Sequence, residues 1–172
     1  MSLTSAAFWF LLQHKDPKYW QQILRHSEVA HAIRNSPWHS DPCSGLILRA
    51  TEDVLVFKKV RTDARSLPVR IVVPLMIPQG ALMRIDLYSK KCRTNLAVFD
   101  GTRVYKEFGE LKYHKLPEYA RTFSDYDHSF TYTPGPVTPR ESQEEVIAEM
   151  KETGECGTGI HFFFDFDSAN AW

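Results

Sequence analysis

The hydrophobic pattern changes near Gly45, and this change constrains the fold more than any other feature of the sequence. Between residues 3 and 36, apolar residues recur at a spacing of three or four, which is typical of amphipathic helices. Beyond Gly45, short apolar runs of strand length alternate with turn-forming residues. We therefore predict an α+β protein with a helical N-terminal segment, residues 1–44. It is expected to pack beside a mostly antiparallel β domain, residues 45–172, with one helix in the C-terminal half.

The N-terminal segment is expected to contain two or three helices. A first helix is predicted within residues 3–14, and Asp16-Pro17 has the N-cap and first-turn chemistry of a second. Ser27 can cap a third helix that runs through Ile33, unless the second helix continues with a bend. Residues 36–44 contain two prolines and are predicted to form a loop at the domain boundary.

The β domain is expected to be built from short strands, one hairpin and one helix. Strands are predicted at residues 46–48, 54–60, 69–73 (ended by Pro74), 81–88 and 160–164. Residues 95–99 and 102–106 flank Asp100-Gly101 and are predicted to form a hairpin with a type I′ turn. A capping box at Thr138–Glu141 predicts a helix from about Pro139 to Glu152, ended by Gly154.

Size, charge and cysteine content exclude several classes of protein. A chain of 172 residues with 43% hydrophobic and 13% aromatic content can build one core. The 21 basic residues balance 21 acidic ones, which argues against non-specific binding to nucleic acid. Three widely spaced cysteines, Cys43, Cys92 and Cys156, do not resemble a secreted disulfide framework, so a reducing compartment is expected.

The apolar run from Leu3 to Leu12 is too short to cross a bilayer, which needs about 20 residues. No basic region precedes it and no small-residue cleavage site follows, so a signal peptide is not expected. The run is interpreted as an amphipathic or buried helix that uses Phe8, Trp9 and Phe10 for docking.

Two motifs in the second half carry a resemblance to a known family. They are Lys91-Cys92-Arg93 and the segment Cys156-Gly157-Thr158-Gly159-Ile160-His161-Phe162-Phe163. Together with apolar segments at residues 57–60 and 71–78 before them and residues 132–137 between them, they resemble an uncharacterised domain family of large DNA viruses and phages, often found beside pentapeptide repeats. The likeness covers roughly residues 52–167. Two departures are the absence of pentapeptide repeats and a shortened helix after the His-Phe-Phe strand. The resemblance implies a viral origin and an accessory module, and it supplies no catalytic residue.

Cys92, Cys156 and His161 are candidate metal ligands, because zinc takes cysteine and histidine in tetrahedral sites. His114 or His128 would complete the set. The alternatives are two buried cysteines beside a hydrogen-bonded core histidine, or a Cys92–Cys156 disulfide. In the absence of a Cys-x-x-Cys pair we favour the core interpretation, with no metal and no cofactor.

Three further patterns suggest chemistry, and each has a simpler explanation that we favour. Cys156 with His161 as its base would make a nucleophile, but no residue is clearly placed to orient the histidine. Asp165 and Asp167 are two residues apart, which fits the solvent-facing side of an edge strand. The glycines from Gly154 to Gly159 precede a strand and lack the lysine of a phosphate-binding loop.

Aromatic residues between 113 and 132 interleave with basic ones, a pattern that can clamp single-stranded nucleic acid. Neighbouring acidic residues cancel that charge, so we favour packing and protein interfaces. Tyr126 and Phe130, together with Trp20 in the N-terminal segment, are therefore candidate interaction residues.

These observations favour a non-enzymatic structural or interaction protein of a large DNA virus, with a minor capsid or other virion component as the leading hypothesis. The expected partners are other viral proteins, capsid proteins among them, in an oligomeric assembly found in the virion or the host cytoplasm. Neither nucleic-acid binding nor a membrane span is expected. The alternatives are a host-directed regulatory binding module and a cysteine- or zinc-dependent enzyme.

Overall fold

Two antiparallel β-sheets face one another across a shared core. The computed structural model describes residues 17–33, 45–86, 90–105, 113–118, 120–152 and 157–172. The strands are β1 (Ser27–Ile33), β2 (Gly45–Ala50), β3 (Val54–Thr62), β4 (Arg70–Ile77), β5 (Leu82–Asp86), β6 (Cys92–Thr94), β7 (Ala97–Phe99), β8 (Arg103–Tyr105), β9 (Tyr113–Lys115), β10 (Thr122–Phe123), β11 (Thr131–Tyr132), β12 (Gly135–Val137) and β13 (Ile160–Phe162). The helices are α1 (Pro17–Arg25), α2 (Gln143–Glu152) and α3 (Phe166–Ala171).

The sheets differ in size and both are antiparallel throughout. Within the described residues, one has five strands in the order β1-β2-β5-β6-β13. The other has eight strands in the same part of the chain, with β11-β10-β3-β4-β7-β12 along one path and β8 joining β4 to β9. Strands β2 and β3 follow one another in the chain but belong to different sheets, so the turn between them carries the chain across the core.

Alternation along the strands places apolar side chains between the sheets. In β3, Val54, Val56 and Val60 are buried, and in β5 Met83 and Ile85 are fully buried. All five belong to one hydrophobic cluster that also receives Ile23 from α1. This shared cluster makes the domain a β-sandwich.

Two helices cover the outer faces of the sheets. Val146 and Met150 of α2 pack on Ile47 and Leu82 of the five-stranded sheet. On the eight-stranded sheet, Phe166 and Ala169 of α3 pack against Val72, Tyr105, Phe163 and Phe57. Lys59 fixes the end of α3 by donating a hydrogen bond from Nζ to the Asn170 carbonyl oxygen at 2.6 Å.

The predicted α+β class with a helical N-terminal segment is wrong. Residues 27–33, expected to form a third helix, are strand β1 and pair with β2 as an edge of the five-stranded sheet. The Ser27 hydroxyl, expected to cap that helix, instead donates to the Ile23 carbonyl oxygen (2.7 Å) at the end of α1. The β-branched residues Val29 and Ile33 favour a strand. A short apolar run in a sequence is compatible with either a helix or a strand, and here the pairing with β2 decides between them.

The predicted hairpin around Asp100-Gly101 is also absent. Strands β7 and β8 do not pair with each other; both pair with β4, through Met76↔Val98 and Val72↔Tyr105. The Asp100 carboxylate accepts the Thr102 backbone N–H (2.9 Å), so the Asp-Gly pair forms a local turn between two segments along one strand edge.

Pro74 was predicted to end a strand, yet β4 continues through it to Ile77. Pro74 pairs with Phe57 of β3, whose N–H and C=O both bond to Phe163 instead of to β4. The Pro74 backbone nitrogen, which carries no hydrogen, therefore points away from β3 and toward the gap between β7 and β8. The pairing of β3 with β4 loses no hydrogen bond at this position.

Helix α2 begins at Gln143, about four residues later than predicted. Ser142 is its cap: the hydroxyl oxygen accepts the Glu145 N–H at 3.2 Å and the carbonyl oxygen accepts the Val146 N–H at 3.0 Å. Ser142–Glu145 is a second capping-box sequence, nearer the apolar residues that the helix buries, and it prevails over Thr138–Glu141.

Candidate functional site

The two motifs that stood out in the sequence lie side by side in the fold. Strand β13 pairs antiparallel with β6, so that Phe162 lies opposite Cys92 and His161 opposite Arg93. Phe162 and Cys92 are both buried in the core between the sheets. Residues alternate between faces along a strand, so His161 and Arg93 lie on the other face of this sheet.

A glycine turn leads into β13 and wraps around the side chain of Arg93. Arg93 Nη1 donates to the Thr158 carbonyl oxygen (2.9 Å), and the Glu149 carboxylate accepts the Thr158 N–H (2.8 Å). A Cβ atom at Gly157 would overlap the Arg93 guanidinium, and Gly159 has a φ of +110°. The turn therefore needs glycine at both positions, one for space and one for conformation.

His161 is held by the same turn. Its Nε2 lies 2.9 Å from the Gly157 carbonyl oxygen, which only accepts, so Nε2 carries the proton and donates. Burial and the nearby charge of Lys58 lower the pKa of His161 from 6.5 to about 4. At neutral pH the imidazole is uncharged, with Nδ1 as its acceptor.

Lys58 occupies a position in β3 where the strand pattern calls for an apolar residue. Its neighbours on the same face, Val56 and Val60, are both fully buried. Lys58 Nζ donates to the backbone carbonyl oxygen of His161 at 2.8 Å, which links β3 to the edge strand β13. Burial lowers the pKa of Lys58 from 10.5 to about 8, against the attraction of the Asp125 charge.

These groups lie at a cleft of about 370 Å³ where β13 meets the loop between β10 and β11. The end of α3 and the segment before α2 complete its walls. We call it the aromatic–lysine cleft; side chains that define it are Lys58, Lys91, Tyr126, Phe130, His161 and Trp172. The volume falls within the range of about 300–1,000 Å³ that is usual for ligand-binding pockets.

Two aromatic side chains at the cleft are exposed to an unusual degree. Tyr126 is 74% exposed and Trp172 is 50% exposed. Their ring centroids are 6.5 Å apart, and Lys91 Nζ lies 3.4 Å from the centroid of the Trp172 ring. The Lys91 ammonium is thus in cation–π contact, which orients the tryptophan beside the cleft.

The aspartates near the cleft are engaged by arginines. Asp127 forms an ion pair with Arg140 (3.2 Å), and hydrogen bonds from Ser129 lower the pKa of Asp127. Asp125 accepts hydrogen bonds from Arg61 (2.6 Å) and Arg70 (3.2 Å).

Burial by itself raises the pKa of Asp125, but the hydrogen bonds from the two arginines outweigh burial and lower that pKa below 3.8. Both aspartates are therefore charged at neutral pH.

The structure separates two of the three candidate zinc ligands. The Cys92 thiol is buried and donates to the Lys90 carbonyl oxygen at 3.3 Å, on the opposite sheet face from His161. Cys156 lies outside the described residues, so the disulfide and nucleophile hypotheses stay predictions. Among the residues that the structure describes, no group of three or more His, Cys, Asp or Glu side chains could hold a metal ion.

Other candidate residues are placed as follows. Tyr126 and Phe130 both line the cleft. Phe8, Trp9 and Phe10 lie outside the described residues, and Trp20 belongs to α1.

The two remaining histidine candidates lie in different parts of the fold, one in a strand and one in the loop between β10 and β11. His114 belongs to β9. His128 is exposed, with its ring 5.3 Å from the ring of Phe123.

Asp165 and Asp167 are not on a strand, contrary to the interpretation of an edge strand. Asp165 is the N-cap of α3: its carboxylate accepts the Ser168 N–H at 2.9 Å, and Asp167 lies in the first turn. The aspartates therefore stabilise the start of a short helix.

Lys58, Lys91 and Trp172 line the cleft but were not predicted from the sequence as site residues. A signal existed for Lys58, since a lysine interrupts an alternating row of valines in β3. No sequence signal brings Trp172 to Lys91, because that contact forms only when α3 folds back over the sheet.

The described helices include none that is both long and apolar enough to cross a bilayer.

Comparison with known proteins gives one result. The model of a family of unknown function, DUF5758, matches residues 45–169, and the chain belongs to this family. No curated protein and no solved structure gives a significant match. The family match confirms that the chain carries an uncharacterised domain, and it covers both motifs and every residue of the cleft except Trp172.

Proposed function

We propose that this protein is a non-enzymatic interaction protein whose aromatic–lysine cleft binds a segment of its partner. The observation that carries the proposal is the exposure of Tyr126 and Trp172, 74% and 50%, beside a concave surface with two lysines. Tyrosine and tryptophan are the residues most enriched at binding hot spots, because they combine large apolar area with a polar group. Burying both rings against a partner would remove two exposed aromatic surfaces from water.

Hydrogen bonds hold one wall of the cleft in place, which supports binding without large reorganisation. The wall is held by the paired strands β6 and β13 and by the Lys58–His161 hydrogen bond of 2.8 Å. A preformed surface avoids much of the entropy cost of ordering its side chains on association.

The resemblance of the sequence to domains of large DNA viruses supports a setting for this binding. We assign the protein the role of a minor capsid or other virion component, with other viral proteins as its partners and an oligomeric assembly. Its expected location is the virion or the host cytoplasm.

The test is mass spectrometry of purified virus particles, with this chain quantified against the major coat protein. Particles are produced with the wild-type chain, with the double variant Tyr126→Ala/Trp172→Ala, and with Val69→Ala. Val69 is 59% exposed and lies outside the cleft lining, so its variant is the matched control. We expect a fixed copy number for the wild type and the control, and a loss of at least about tenfold for the double variant.

Each outcome bears on a separate part of the proposal. Normal incorporation of a folded double variant would refute binding through the cleft. Absence of the wild-type chain from particles, with abundance in infected cells, would refute the virion role and favour a host-directed regulatory module. Circular dichroism of the purified variants checks that they are folded.

A further inference from the structure

Lys58 presents unused hydrogen-bonding capacity to the aromatic–lysine cleft. An ammonium group has three donors, and one of them is directed to the His161 carbonyl oxygen. This bond and the attraction of Asp125 offset only part of the cost of burying the cation, since the pKa of Lys58 remains lowered to about 8. The position therefore favours a ligand that brings an anionic oxygen to Nζ.

The charges around Lys58 leave room for such an oxygen. Asp125 and Asp127 interact with arginines, as described above, at 2.6 to 3.2 Å. Asp127 and Glu141 are the two carboxylates of the cleft lining, and Glu141 is exposed to solvent. Lys91 adds a second ammonium to the same cleft, placed over the Trp172 ring.

We propose that the cleft recognises an acidic peptide segment, in which a carboxylate binds between Lys58 and Lys91 and an adjacent apolar side chain packs on Tyr126 and Trp172. The inference rests on the proposed binding function and names the chemistry of the partner. Charge complementarity with two lysines selects the carboxylate, and the two exposed rings select an apolar neighbour. The cleft volume of about 370 Å³ accommodates a few side chains, so recognition extends over a short segment.

The arrangement also explains why the partner's carboxylate is preferred over its neutral analogue. At a site with a desolvated ammonium, replacing an anionic acceptor by an amide leaves the cation without its opposite charge. The amide form of the same peptide should therefore bind much more weakly, although its shape and apolar surface are unchanged.

The experiment uses the full chain and two blocked peptides of seven residues. One peptide carries a glutamate on each side of a central leucine between glycine and serine flanks, and the other has glutamine in place of both glutamates. Binding is measured by isothermal titration calorimetry and by NMR of lysine side chains labelled with ¹³C at Cε. We expect the glutamate peptide to bind at least about tenfold more tightly and to shift the Lys58 and Lys91 signals.

Variants assign the effect to the cleft. Lys58→Met and Lys91→Met should each reduce the preference for glutamate over glutamine toward one. Lys115→Met is the matched control, since Lys115 is an exposed lysine outside the cleft lining and its variant should keep the full preference. Equal binding of the two peptides, an undiminished preference in Lys58→Met, or no binding at millimolar concentration would overturn the inference.

A separate readout keeps this inference distinct from the proposed function. If Lys58→Met enters virus particles as well as the wild type while Tyr126→Ala/Trp172→Ala does not, the cleft is a docking site but its partner is not acidic. If neither variant affects incorporation and both peptides bind alike, the binding function itself fails.

Discussion

Replacing Lys58 by methionine should stabilise the protein, although Lys58 belongs to the proposed binding site. Folding lowers the pKa of Lys58 from 10.5 to about 8, mainly through burial. Each pKa unit corresponds to about 1.4 kcal/mol, so the charged form is disfavoured in the folded state by about 3 kcal/mol. This net shift already includes the attraction of Asp125. Methionine has a similar length and no charge, and its further loss is the bond to the His161 carbonyl oxygen, which contributes about 1 kcal/mol. The expected net gain at pH 7 is about 2 kcal/mol.

The pH dependence of unfolding provides an independent check of the cause. Between pH 8 and 10.5, the unfolded wild-type chain binds a proton at Lys58 that the folded chain has released. The free energy of unfolding of the wild type should therefore rise with pH across this window through Lys58. Since Lys58→Met lacks this group, its advantage should be full below pH 8 and should shrink as the pH approaches 10.5.

The assay is urea unfolding followed by far-ultraviolet circular dichroism at pH 7 and pH 9.5. A shift of the midpoint with an unchanged slope reports stability alone. Lys115→Met serves again as the control and should change stability by less than about 0.5 kcal/mol, because Lys115 is exposed. A Lys58→Met protein that is less stable than the wild type at pH 7, or whose advantage does not change with pH, would refute the reasoning.

Three further predictions concern the turn, the histidine and α3. Gly159→Ala should lower the free energy of unfolding in urea by about 1–3 kcal/mol, because φ is +110° and the new Cβ would lie 3.0 Å from a β6 carbonyl oxygen. Gly80→Ala is the control: its φ is +88° but no atom lies within 4 Å of the new Cβ, so the loss should be smaller. As the pH falls from 6.5 to 4, the wild type should lose up to about 3 kcal/mol of stability, because in that window the histidine binds a proton only in the unfolded chain. His161→Gln should remove this loss, and the melting temperatures of wild type and variant at pH 4.5 and 7 test it. Lys59→Met should cost about 1 kcal/mol by removing the 2.6 Å bond to the Asn170 carbonyl oxygen, and an unchanged urea midpoint would contradict it.

Local patterns predicted the longer strands of the β domain but not the short strands β6 and β9 to β12, and they failed where pairing with distant residues decides the structure. An apolar run predicted a strand at residues 54–60, and alternation predicted one at residues 81–88; the structure has β3 at Val54–Thr62 and β5 at Leu82–Asp86. The segment Ser27–Ile33 was predicted as a helix because its apolar spacing fits a helix, yet pairing with β2 makes it a strand. Asp100-Gly101 satisfies the rule for a hairpin, but β4 offers a longer partner to both flanking strands. In both segments the deciding hydrogen bonds come from residues far along the sequence.

The cleft was less predictable than the fold, for the same physical reason. Tyr126 and Phe130 were identified because exposed aromatic residues between charges are typical of interfaces. Lys91 and Trp172 are 81 positions apart, and only the packing of α3 on the eight-stranded sheet brings them to 3.4 Å. A sequence shows which residues are unusual for their strand position, but not which of them share a surface.

A residue that lowers stability and lines a concave surface is more informative about function than one that only stabilises the fold. Burial disfavours the charged form of Lys58 at a strand position that faces the core, and its ammonium is directed to the edge of β13 at the cleft. Functional groups held in unfavourable surroundings are the usual origin of such a conflict between stability and activity. The pairing of β6 with β13 instead supports the fold, because the hydrogen bond from Arg93 to the Thr158 carbonyl oxygen holds the turn that positions His161. We infer that the Lys-Cys-Arg and Gly-Ile-His-Phe-Phe motifs build the wall of the cleft, and that Lys58 with the exposed rings of Tyr126 and Trp172 determines what binds there.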